Sequence, residues 1–121
     1  LPRTKTIELD GAKFIIAALT LSQVEEFLAD HRDALGLDDK GNARPGATPD
    51  EKKLKQLWRK FICVGLNNAA QNGEKPREPK TLADELDLVS FEMLRNELLK
   101  FSGLKALDEE KKTERAAAAA S

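Results

Sequence analysis

The chain has one cysteine, one histidine, one tryptophan and no tyrosine. A lone cysteine, Cys63, excludes an internal disulfide framework and any cysteine-rich metal site. His31 and Cys63 fall in separate helical patterns, so no nucleophile–base pair is visible. No apolar run approaches the roughly 20 residues of a membrane-spanning helix. A secretory leader would need a basic start and an apolar run; a charged strand-like segment comes first, and secretion is not expected. The formal net charge of -1 removes the overall basic excess that marks nonspecific nucleic-acid binders. GNARPG, from Gly41 to Gly46, lacks the spacing and the Lys-Ser/Thr end of a phosphate loop. Asp38-Asp39-Lys40 lacks the alternating oxygen ligands of a calcium loop, and no zinc spacing occurs. The expectation is therefore a non-enzyme with no catalytic residue, cofactor or metal, and with no nucleic-acid or membrane partner.

What is present is an ordinary globular balance, 40% hydrophobic and 34% charged over 121 residues. That length suffices for one domain around one core. Residues 6–19, TIELDGAKFIIAAL, alternate like strands around Asp10-Gly11, a pair suited to a type I′ turn. Leu9 then faces Ala12 and Ile7 faces Phe14, and Ile7, Leu9, Ala12, Phe14 and Ile16 share one side. Glu8, Lys13 and Ile15 lie on the other. An apolar Ile15 on the wet side calls either for cover from the chain's own helices or loops, or for a neighbouring subunit. A two-stranded ribbon also has open edges. Ile7, Glu8, Lys13 and Ile15 are the candidate self-association residues.

Helical patterns follow. Ser22 with Glu25, or Thr20 with Gln23, can form a capping box. Leu21, Val24, Phe27, Leu28, His31 and Leu35 make a stripe, and Gly36 is a natural stop. His31 inside that stripe reads as a packed or boundary histidine. The glycines and Pro45 of residues 36–48 oppose regular structure, and a loop of that length is either functional or mobile. Thr48, Pro49 and Glu51 announce a second helix running to Ala69 or Ala70. Leu54, Leu57, Trp58, Phe61, Val64 and Gly65 form its apolar side; Ile62 and Leu66 widen it toward the end, and Cys63 reads as a buried thiol. Gly65 costs roughly 1 kcal/mol of helix propensity, which close packing against another helix would justify.

The polar side of that helix carries Lys52, Lys53, Lys55, Arg59 and Lys60. A solvated face and an acidic protein partner both fit; base-stacking aromatics are missing. After a polar segment, Thr81 opens a short helix, and Ser90 caps a last one with the stripe Phe91, Leu94, Leu98 and Phe101, stopped at Gly103. Met93 and Leu99 lie off that stripe. Lys52, Lys55, Arg59, Met93 and Leu99 are the candidate client or partner contacts. Leu104 and Leu107 can fold back on the core, and residues 108–121 read as a flexible charged and alanine-rich tail. The fold class is mainly α: an N-terminal β-hairpin and three to four helices in a small single domain over residues 1–107, α+β by strict count.

Three segments in this order resemble the tail assembly chaperones of long-tailed bacteriophages. They are LDGAKFIIAALTLSQVEEFL, KQLWRKFICVGLNNA and TLADELDLVSFEMLRNELLKFSGL. The matching residues are Leu9-Asp10-Gly11, Leu19-Thr20, Leu66-Asn67, Ala69, Leu86 to Leu88, Phe91, Leu94 and Ser102 to Leu104. The resemblance covers about residues 6–107. It implies a protein that binds the tape measure protein, keeps it soluble and helps recruit the tail tube protein. It also implies self-association into a ring or spiral, residence in the host bacterial cytoplasm and absence from the mature virion. Many members of that family have a longer form made by a frameshift, and Glu110-Lys111-Lys112 is compatible with an adenine-rich slippery site. Two other readings stand beside it: a structural head-tail connector or tail-terminator protein, and a small helical nucleic-acid-binding regulator.

Overall fold

A hairpin opens the fold and its turn sets the register. The computed structural model describes residues 3–70 and 73–104. Strands β1 (Thr4–Leu9) and β2 (Ala12–Ala17) pair antiparallel, with Leu9 opposite Ala12, Ile7 opposite Phe14 and Thr6 opposite Ile15. Asp10 and Gly11 take φ of 48° and 82°, the two positive values a type I′ turn requires. Ile7, Leu9 and Ile16 enter the core, while Ile15 remains 48% exposed. Ile7 is thus corrected from a self-association residue to a core residue. It shares the inward side with Leu9, and a side-chain period of two allows no other outcome.

Helix α1 (Leu21–Ala34) uses the Thr20–Gln23 capping box rather than the Ser22 alternative. Its first residue Leu21, expected in the stripe, is 74% exposed because the cap sits immediately before it. The helix ends in a Schellman motif: Gly36 at φ 78° lets Leu37 N–H reach Arg32 C=O at 2.9 Å. The following loop is tied down more than its glycines suggest. Leu37 and Ala43 form an isolated antiparallel bridge, and Asp38 Oδ1 accepts hydrogen bonds from the backbone of Lys40 and Asn42. Helix α2 (Glu51–Ala69) is capped by Asp50, whose carboxylate accepts from Lys53 N–H, and not by Thr48. Pro49 therefore lies before the cap.

Helix α3 (Pro79–Glu85) starts at proline rather than at Thr81 and has no side-chain cap. Helix α4 (Leu88–Phe101) is capped by Asp87, not Ser90; the Ser90 amide is what Asp87 accepts from, at 2.7 Å. Gly103 closes α4 with a second Schellman motif, Leu104 N–H to Leu99 C=O at 2.7 Å, and Leu104 packs back against the core. Among the described residues four helices follow the hairpin, at the upper end of the expected three to four. Leu107, Glu110 to Lys112 and the expected tail over 108–121 lie outside the described residues.

The core runs along α2. Phe61, Ile62, Cys63 and Leu66 meet Ile16 from the hairpin, Phe27 from α1, Leu82 from α3, and Leu94, Leu98 and Leu99 from α4. Gly65 is where α4 comes closest. A Cβ there would stand 2.5 Å from Leu98 Cδ2 and 2.8 Å from Cδ1, so the glycine is a space requirement. Two asparagines finish the framework. The Asn67 amide bonds Arg77 at both N–H and C=O, standing in for a backbone partner to the chain entering α3. Asn68 joins Gln23 of α1 and the Ala18 carbonyl after the hairpin.

Candidate protein-binding surfaces

Cys63 and His31 occupy packed positions. Burial pushes the Cys63 thiol up to about 11, with the nearby Arg77 charge offsetting part of the shift, so the thiol stays protonated at neutral pH. His31 stacks on Phe27 with ring centroids 5.8 Å apart and meets Trp58 edge-on at 5.7 Å. Among the described residues, no group of three or more His, Cys, Asp or Glu side chains is placed to hold a metal ion. No described helix is long and apolar enough to cross a membrane.

The distinctive surfaces flank the N-terminal half of α2. On the α1 side a groove of about 410 Å³ is lined by Asp30, Asp33, Lys52, Lys53, Gln56, Leu57 and Lys60. Charges pair around it: Lys60 with Glu26 at 3.4 Å, Lys53 with Asp33 at 3.9 Å, and Arg44 with Asp33 at 3.2 Å. On the other side a groove of about 430 Å³ opens among α2, α3 and α4, with Lys55, Trp58, Arg59, Leu86, Leu88, Phe91, Glu92 and Arg95 on its walls. Among the described residues, Lys55, Arg59 and Glu92 enter no ion pair within 4 Å. Arg95 is almost fully buried over Trp58, its guanidinium 5.4 Å from the ring centroid, and it also donates to Asn96.

Beside this second groove α4 leaves apolar side chains in water. Leu88 is 71% exposed, Val89 67% and Met93 48%. Met93 thus lies on the surface. Leu99 does not: at 1% exposure it packs in the core, because α4 buries a wider arc than the stripe Phe91–Leu94–Leu98 implied. Lys52, Lys55 and Arg59, grouped by sequence, are split between the two grooves, Lys52 on the α1 side and the other two toward α4. Leu88 and Val89 were missed as surface residues. Taking Asp87 rather than Ser90 as the cap puts both in the first turn of α4, where Val89 falls off the core-facing side and Leu88 shares the side of Phe91 and Arg95 but stands at the exposed helix start.

The hairpin supplies a third, smaller surface. Glu8 faces Lys13 across the strands, both exposed, and Ile15 borders a recess of about 170 Å³ with Phe14, Leu66 and Arg77. Arg77 lies 5.8 Å from the Phe14 ring centroid and is paired with Glu85. Comparison of the chain with protein-family models, curated proteins and solved structures finds no match.

Proposed function

We propose that this chain is a bacteriophage tail assembly chaperone, a holdase that binds the tape measure protein and helps bring in tail tube subunits. The observation that carries the reading is the exposed apolar set Leu88, Val89 and Met93 on α4, beside the cations Lys55 and Arg59, which form no ion pair among the described residues. Apolar side chains of that size left together in water mark a surface for a partner. The ordered likeness of residues 6–107 to that chaperone family supplies the partner's identity.

Such a protein works by occupancy. A client segment held on the α4 surface is withdrawn from self-association, and no nucleotide is consumed. Weak contacts become effective when many copies line one long client. Ile15 and the ribbon edge provide the contact between copies in a ring or spiral. The site of action is the host bacterial cytoplasm, and the protein leaves before the virion matures.

Co-expression with a tape measure fragment tests this reading. A soluble complex is the expected outcome; a fragment that aggregates equally with and without the chain overturns it. Persistence of the chain in purified virions by mass spectrometry would instead favour a connector or terminator. Ile15→Asp is expected to lower the oligomer mass by light scattering while leaving the far-UV circular dichroism intact.

A further inference from the structure

We infer that the groove between α2 and α4 receives one amphipathic helix, with acidic residues along its edge toward α2 and a basic residue along its edge toward α4. The inference rests on the holdase reading for the existence of a client, and adds where the client docks and in what charge orientation.

Trp58 and Phe91 give the groove apolar lining, with the Arg95 guanidinium buried over Trp58, and Leu88 borders it with most of its surface in water. The accessible charges on the walls differ in sign. Lys55 and Arg59 line the α2 side; the α4 side carries Glu92, and also Arg95, whose guanidinium is buried over Trp58 and bonded to Asn96. Lys55, Arg59 and Glu92 face one groove without closing on each other within 4 Å. Asp87 also borders it and adds a second negative charge near the start of α4, one of its oxygens accepting from the Ser90 amide at the helix cap. Across α2 the comparable groove has two of its three lysines, Lys53 and Lys60, paired with Asp33 and Glu26.

A helix fits better than the other occupants. The charged walls belong to helices, so no strand edge is offered there for an extended peptide. A small molecule filling about 430 Å³ would leave Val89 and Met93 uncovered on the outer flank of α4. From Leu88 to Arg95 the α4 wall rises about 10 Å, close to two helical turns. That length suits anchors spaced i, i+3 or i+4, and i+7 entering beside Trp58 and Leu88.

Trp58 is the chain's single tryptophan and lines the groove, so its fluorescence reports occupancy directly. The probe is a synthetic helical peptide free of aromatic residues, with leucines at i, i+3, i+4 and i+7, glutamates on one flank and lysines on the other. A scrambled isomer is the control. The full chain is expected to give a saturable Trp58 change with the patterned peptide and binding at least about tenfold weaker with the isomer. Lys55→Glu/Arg59→Glu should weaken the patterned peptide about tenfold or more, with unchanged circular dichroism. Leu88→Asp, at an exposed position, should do the same. Equal binding of both peptides, or folded variants that bind like the wild type, would overturn the proposal. A Lys55→Glu/Arg59→Glu chain that still keeps the tape measure fragment soluble would also overturn it, while leaving the holdase reading intact. Patterned-peptide binding in a chain that fails to protect that fragment would uphold the groove and remove the holdase reading.

Discussion

The two sides of α2 are built from similar material and reach opposite ends. Toward α1, lysines meet aspartate and glutamate, and the aromatic rings of Phe27, Trp58 and Phe61 pack with centroids 4.6 to 5.7 Å apart. Toward α4 the packing is tight at Gly65 and Leu98; nearer the start of α4 there is a groove with bare leucine and with charges, on Lys55, Arg59 and Glu92, that enter no ion pair with a described side chain. The difference teaches that a cation's meaning lies in what its neighbours leave undone. Lys60 completes a pair, whereas Arg59, one residue earlier, faces an open groove.

The contrast between tight and open parts of the α4 side is the easiest to break. Leu98→Ala should cost about 2–5 kcal/mol in urea unfolding, because it empties a fully enclosed position. Leu88→Ala, on the same helix, should stay within about 0.5 kcal/mol. If the two cost the same, the groove is not open in solution. Gly65→Ala comes next. Alanine gains roughly 1 kcal/mol of helix propensity, but its Cβ collides with a leucine that has no free space, and such overpacking costs about 1–3 kcal/mol. A net loss is expected, smaller when Leu98→Ala is made in the same chain.

On the α1 side, Lys60→Gln should cost only about 0.2–1 kcal/mol and less in high salt, since the pair with Glu26 is exposed. The smallest effect concerns acid. The Lys5 hydrogen bond holds the Glu97 carboxyl below its ordinary range, and the Ser90 amide does the same for Asp87. Lowered folded-state values stabilise fully above the unfolded pKa values near ~4, and the gain is lost as pH falls through the folded ones. Glu97→Gln with Asp87→Asn should flatten the acid limb of the melting-temperature profile and leave its neutral part almost level in slope.

Much of the framework was legible because it depends on near neighbours. Asp10-Gly11 fixed the ribbon register, and Gly36 and Gly103 marked helix ends that the structure closes with Schellman motifs. Gly65 was readable as a close approach, though not which residue approached. The caps were less legible. Thr48, Ser90 and Thr81 are good capping types, yet Asp50 and Asp87 lie in reach of the right amides and Pro79 starts α3 without a cap. Several residues behind the family likeness turn out to be framework. Asn67 holds the chain before α3, Ser102 accepts from the Leu19 amide, and Gly103 ends α4. The candidate contact surface was harder to read for the same reason: its residues carry no short-range signature.

By itself the sequence determined the hairpin, the helical segments and the apolar stripe of α2, since turn chemistry and side-chain period act over a few residues. That Leu99 is inside and Leu88 outside, and that Lys52 parts from Lys55 and Arg59, emerged from tertiary packing alone. Those outcomes depend on which faces of separate helices and strands meet, and burial is settled by that meeting rather than by residue type.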